Sequence, residues 1–239
     1  MSRRPLLVTD CDEVLLHMVV PFAQWVDEAH HVHFDLDSGD FVNALRHKVS
    51  GVALGHEEIW PLLRGFFATE MHRQYPIEGA IESVQALAEQ ADVVVLTNLH
   101  DHERDGRIDQ LRAVGVEFPV FTNQGGKGPL LKQIIADYNP TVTVFVDDLG
   151  HNHASVAEHV PDVWRLHMVG EPRLAPRIIA HPTAHARIDD WATASARSRK
   201  RSGFNCDGTM MLRPRGITPR CAVTGNIKLL SASAPGWSV

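Results

Sequence analysis

The sequence predicts an α/β protein built on an open, mostly parallel sheet, with a helical subdomain inserted into it. Three observations carry that expectation. Short, uninterrupted apolar runs recur, notably Leu6–Thr9, Val93–Leu96 and Val142–Val146, and such runs fit strands covered on both faces. From Val93 onward these runs alternate with stretches of helical spacing, which is the signature of parallel strands joined by helical crossovers. Each run also stops abruptly at polar residues: Asp10 and Asp12, Thr97 and Asn98, Asp147 and Asp148.

In chain order, Leu6–Thr9 is the first strand. A helix-prone region follows from about Pro21 to Ala91, in which Phe22, Trp25, Val26 and Ala29, and then Ile59, Leu62, Leu63, Phe66 and Phe67, recur at helical spacing. His33–Asp40 has turn chemistry, Pro76–Gly79 interrupts the region again, and Ala80–Glu89 reads as a helix. Val93–Leu96 is the second strand, Asp101–Val114 a helix stopped by Gly115, and Val120–Thr122 a short strand. The glycine-rich turn Gly125–Gly128 enters a helix over Pro129–Tyr138, where Pro129 suits the first turn. Val142–Val146 is a strand, His153–Glu158 a short helix, and Val163–Val169 the last strand. The block between the first two strands is too long for one crossover. Residues 1–14 and 83–196 are therefore expected to form the α/β core, and residues 15–82 a helical insertion.

Ile188–Trp191 is the last stretch that reads as packed structure. From Arg197 onward eight basic residues face a single acid, Asp207, so this segment carries +7 while the rest carries −13, within a total of −6. Its Gly, Pro and Ser content and weak periodicity predict a basic, disordered or loosely attached tail over 197–239. Three cysteines, Cys11, Cys206 and Cys221, make a poor disulfide framework, so a reducing, cytoplasmic setting is expected. The apolar run of the N-terminus is cut short by Asp10, unlike a signal peptide. Mean hydropathy is −0.13 and no apolar run is long enough to span a bilayer, so no membrane partner is expected. The net negative charge gives no reason to expect a specific nucleic-acid partner.

In open α/β sheets ligands bind outside the carboxyl ends of the strands. Parallel, adjacent strands would bring Asp10, Asp12, Thr97, Asn98, Asp147 and Asp148 to one rim, with Lys127 in the turn after a fourth strand. Four carboxylates together repel one another and lose hydration. A hard divalent cation such as Mg²⁺, which takes one or two carboxylates, several waters and a substrate phosphate, would compensate them. A carboxylate can attack phosphorus to form an aspartyl-phosphate, a second can move the proton, and Lys127 and Thr97 can hold phosphoryl oxygens.

The order DCDEV, VVVLTN, GGKGP, VFVDD resembles the four motifs of the haloacid dehalogenase superfamily, over roughly Leu6–Trp191. The resemblance implies a Rossmann-like core with a helical cap over the site, and a Mg²⁺-dependent phosphatase acting on a small phosphorylated metabolite. It implies Asp10 as nucleophile and Asp12 as acid/base. Thr97, Asn98 and Lys127 would bind the substrate phosphate. The metal would be held by Asp10, Asp147, Asp148 and the backbone carbonyl of Asp12. The second Asp of DCD favours phosphoryl transfer over carbon–halogen cleavage, since family dehalogenases lack it. Glu13 stands where many members carry Gly, Lys132 competes with Lys127 as the motif lysine, and Asn152 is a candidate for orienting the lysine or the acids.

Plainer readings exist for each residue taken alone. An isolated DxD is a common cap or turn, Thr97 is at home at a strand end, Lys127 suits a solvated loop, and either Asp147 or Asp148 suits a helix N-cap. The fifteen histidines include His30, His31 and His33, and His151 and His153, but neither group has a closed zinc pattern. Two other functions compete: a receiver-like phospho-acceptor domain, whose acidic pair comes early rather than last, and a haloacid dehalogenase fold used only for binding, which would not need the full set of catalytic residue types.

Overall fold

The computed structural model describes residues 3–38 and 43–201. Six parallel strands form the main sheet: β1 (Leu6–Thr9), β6 (Asp92–Thr97), β7 (Val120–Thr122), β8 (Thr143–Asp147), β9 (Trp164–His167) and β10 (Ala186–Arg187). Their order is β10-β9-β8-β1-β6-β7. The chain moves outward from β1 to β6 and β7, then returns to the other side of β1 for β8, β9 and β10. The order thus reverses at β1, and a crevice opens where crossovers leave in opposite directions.

Alternation along the strands builds two cores at once. Leu7, Val93, Val95, Val144 and Val146 face one side, packing with α3 (Ala80–Ala88), α4 (Arg104–Ala113) and α7 (Trp191–Arg201). Leu6, Val8, Val94, Leu96 and Phe145 face the other, against α5 (Gly128–Tyr138) and α6 (Gly150–His159). Successive side chains point to opposite faces, so an uninterrupted apolar run is what a strand between two helical layers requires. Register pins the strand ends together: Thr9 pairs with Val95 on one side and Val146 on the other.

The block between β1 and β6 has its own apolar cluster. Val19, Phe22, Trp25 and Val26 of α1 (Val19–His30) pack with Ile59 and Phe66 of α2 (His56–Thr69). The Phe22 and Phe66 rings meet edge-on at 5.6 Å, a preferred aromatic geometry. Leu15, Leu16, Ile77, Ala80 and Ile81 pack instead in the core of the main sheet.

Three features depart from the expected elements. The block is not purely helical: β3 (Val32–Phe34) pairs antiparallel with β4 (Leu45–His47), and β2 (Leu16–His17) with β5 (Tyr75–Pro76). Strands this short carry little pattern of their own, and of them only β7 was expected from the sequence; long-range pairing rather than local propensity forms the others. A sixth main-sheet strand, β10, was not anticipated, for the same reason. Helix α7 also runs on through Arg201, past the start expected for the tail. Its first turn is anchored by Trp191, which is buried and donates its indole N–H to the Val14 carbonyl at 2.7 Å. Residues 202–239, for which a disordered basic tail was expected, lie outside the described residues. Among the described residues no helix is long and apolar enough to cross a membrane.

Cys11 follows β1 and is fully buried. Burial pushes its thiol far above the ordinary range, against the pull of Arg107. Only the thiolate reacts readily. Alkylation with iodoacetamide followed by peptide mapping should therefore leave Cys11 unmodified in the native protein and modify it after unfolding. Fast native labelling would contradict its burial.

Candidate active site

The crevice at the β1 reversal gathers most of the residues singled out from the sequence. Asp10 leaves the end of β1, Asp147 closes β8, and Asp148 follows it. Ligand oxygens of the three lie within 4.8 Å of one another. Lys127, from the loop after β7, is fully buried and reaches Asp10 at 2.9 Å and Asp147 at 2.7 Å. Lys132 lies on the exposed side of α5, so it is Lys127 that meets the acids.

The glycines around Lys127 explain how it gets there. Gly125 has φ +77°, a left-handed conformation natural to glycine. At Gly128 a Cβ would stand 2.3 Å from the Ser155 carbonyl oxygen of α6, so only glycine lets α5 approach α6 this closely. The first amide of α5 does not face an open anion site. The Gly128 N–H is already taken by Ser155 Oγ at 3.0 Å.

The two aspartates of the last motif have different partners. Asp147 is fully buried and accepts from Lys127, from Asn152 Nδ2 at 3.0 Å and from the Leu149 amide at 2.9 Å. Asn152 thus braces the acid. Asp148 is half-buried and lines the cavity in front of the strands, as does Asp10. Two histidines fix the backbone behind the pair. His153 Nε2 donates to the Asp147 carbonyl at 3.0 Å and His167 Nε2 to the Asp148 carbonyl at 2.7 Å. A carbonyl can only accept, so these nitrogens carry the protons.

Electrostatically the cluster is under-compensated. Burial pushes the Asp10 carboxyl up to about 7, against the pull of Lys127 and helped by the charges of Asp147 and Asp12. Burial and the charges of Asp10 and Asp147 push Asp148 well above the carboxylate range. Asp147 ends below it: burial pushes it up, but Lys127, His153 and the hydrogen bond from Asn152 together outweigh that cost. Three carboxylates around one ammonium cannot all be comfortably ionised. Their oxygens are the hard donors that Mg²⁺ takes, so the residues fit a divalent cation, with Asp10 and Asp148 on the cavity side.

Thr97 ends β6 beside β1. Its side chain is fully buried, and its hydroxyl has no hydrogen-bond partner among the described residues. A buried hydroxyl without a partner is costly. Asn98 also lines the cavity, but its side chain is engaged: Nδ2 donates to the Gly125 carbonyl at 3.1 Å and Oδ1 accepts from Asn123 at 3.0 Å. It braces the loop that carries Lys127.

Asp12 stands apart from the other acids in its company. Arg107, from α4, is fully buried and donates to both its oxygens, at 2.8 and 3.0 Å. Gln74 donates to the same carboxylate at 2.6 Å. Arg107 was not among the residues expected here. The available signal was its place four residues before the buried Leu111, on the same helix face. Glu13 has φ 57°, which explains why glycine suits this position. Its Oε1 accepts from the Met18 and Val19 amides, at 2.8 and 2.7 Å, tying the start of α1 to the end of β1. Burial raises its carboxyl to about 7, against those two amide bonds.

No family model matches the chain, and no curated protein matches it. Solved structures do. A haloacid dehalogenase-like hydrolase from Streptococcus pneumoniae aligns with a TM-score of 0.56 at 10% identity, covering 82% of this chain and 98% of its own. A protein named as a predicted phosphoglycolate phosphatase, from Haemophilus somnus, gives 0.55 at 14% identity, covering 83% and 99%. D,D-heptose 1,7-bisphosphate phosphatase from B. bronchiseptica, solved with magnesium and phosphate, gives 0.51 at 13% identity, covering 82% and 99%. Together with the six-stranded parallel sheet and its order, these likenesses give the chain the fold of the haloacid dehalogenase-like hydrolases.

Proposed function

We propose that this chain is a haloacid dehalogenase-type phosphatase. It hydrolyses the monoester of a small phosphorylated metabolite through an aspartyl-phosphate on Asp10, and it depends on Mg²⁺. The observation that carries the reading is that Asp10 lines a cavity together with Asp148 and is paired with the buried Lys127 at 2.9 Å. Structural neighbours support it, one named as a predicted phosphatase and one a phosphatase solved with magnesium and phosphate.

In this reading a carboxylate oxygen of Asp10 attacks phosphorus, the bond from phosphorus to the ester oxygen breaks, and that oxygen leaves with a proton from Asp12. Water then attacks the aspartyl-phosphate, giving its proton to Asp12 and releasing phosphate, which restores Asp10. Lys127 and the Thr97 hydroxyl hold the phosphoryl oxygens in line. Asp10, Asp148, Asp147 and the Asp12 carbonyl would hold Mg²⁺, which when bound offsets phosphoryl charge. We assign residues 15–82 as the cap, which excludes water and selects substrate.

The test is to expose the protein to acetyl phosphate with Mg²⁺, quench in acid, reduce the acyl-phosphate and map the modified residue. The label is expected on Asp10. A label on another residue, or none despite turnover, overturns the mechanism.

Arg107 has a consequence for Asp12. Its fork grips both carboxylate oxygens, fixing the angle at which Asp12 meets the leaving oxygen. Arg107→Lys keeps the charge but loses the fork. It is expected to lower kcat about 10–100-fold with little change in KM, because misplacement of a reacting group by even 1 Å has effects of that size. An unchanged kcat would reduce Arg107 to a packing role.

A further inference from the structure

The cavity in front of Asp10 reaches well beyond the acids. Its volume is about 420 Å³, within the range of small-molecule sites. Its wall is predominantly apolar: Phe34, Ile59, Leu63 and Phe67 line it from the inserted block, and Leu99 and Leu174 from the sheet side. Asp35, His56 and Arg64 of the inserted block and His100 and Gln124 near the strand ends also line it, but polar atoms make up the smaller part of the exposed wall. A sugar or other polyol phosphate would leave most of its hydroxyls facing carbon.

We propose that the substrate is a phosphate monoester of a bulky apolar alcohol, whose hydrocarbon part fills this cavity while its phosphate meets Asp10 and Lys127. The inference rests on the phosphatase reading above and names the substrate class for that site. A one- to three-carbon phosphate would reach Asp10 but leave most of the apolar wall in water. An apolar group removes that wall from water and gains with every carbon added, until the cavity is full.

The test compares n-alkyl phosphates of increasing length, with acetyl phosphate as a control that barely enters the cavity. Expected is a rise in kcat/KM of about fourfold per methylene, followed by a plateau. Propyl phosphate should exceed glycerol phosphate, of nearly equal size, by about 10–100-fold. Calorimetry with n-alkylphosphonates gives a readout independent of turnover. Affinity should rise with chain length, with an increasingly negative heat-capacity change. Leu63→Asn, at a half-buried position, should flatten both slopes.

Turnover of acetyl phosphate with no dependence on alkyl length, or a preference for glycerol phosphate, would overturn the substrate class and leave the phosphatase reading standing. No turnover of any phosphate, together with length-dependent phosphonate binding, would overturn the catalytic reading while supporting the ligand class. Neither turnover nor length-dependent binding would overturn both.

Discussion

Asp10→Asn is expected to lower phosphatase turnover by about 10⁴-fold or more, the scale seen when a nucleophile is removed. Stability should not fall with it. Asn keeps the size of the side chain and removes one of three carboxylates whose oxygens lie within 4.8 Å of one another, two of them paired with the one ammonium of Lys127. Lys127 and Asp147 remain as a balanced pair at 2.7 Å. In the presence of chelator the variant should therefore melt no lower than the wild type. The two readouts together discriminate. Lost turnover with an intact melting temperature marks Asp10 as a group held at some cost to the fold for its chemistry. Lost turnover with a collapsed melting temperature would mean only that the site unfolds. Turnover that survives would place the nucleophile elsewhere. A cation that binds these oxygens should raise the melting temperature of the wild type more than that of the variant, since a ligand stabilises the state that holds it.

The strand ends were legible in the sequence for a physical reason. Buried strands of a parallel sheet are apolar throughout, so a carboxylate directly after Thr9 or Val146 marks the point where the chain leaves the sheet. Strands that run parallel bring all such points to one edge. Asp10, Thr97, Asp147 and Asp148 could be placed by that argument alone, because it needs only covalent order and direction. What was not legible depended on packing across the sequence. Arg107 looks like any surface arginine of a polar helix until α4 docks on the sheet and turns it inward to Asp12, 95 residues away. The hairpin of β3 and β4 lies in a block of helical periodicity, and its three-residue strands exist only because they pair with each other. Gly128 reads as turn chemistry, whereas its reason is the Ser155 carbonyl of the next helix. The choice between Lys127 and Lys132 was of the same kind, since both are lysines near one helix start and only the docking of α5 onto α6 separates them.

That choice gives the second large effect. Lys127→Met is expected to cost about 3–5 kcal/mol, because it removes the cation of a buried pair and leaves Asp10 and Asp147 facing each other. For a chain of this size that corresponds to a fall of roughly 6–20 °C in melting temperature. Met fills much of the same volume, so little of the loss would come from a cavity. Lys132→Met, on the exposed side of the same helix, should stay within about 0.5 kcal/mol of the wild type. The double variant Lys127→Met with Asp10→Asn should recover part of the loss, because one of the two unpaired carboxylates is gone. A coupling energy of about 0.5–3 kcal/mol between the two positions would be the signature of a direct pair. Were Lys127 a solvated loop lysine, as its composition-level reading allows, its replacement would behave like that of Lys132 and the cycle would show no coupling. The buried position of Lys127 between Asp10 and Asp147 makes the opposite demand: it offsets two carboxylates in the resting fold, and in the phosphatase reading the same ammonium meets the phosphoryl group as Asp10 attacks.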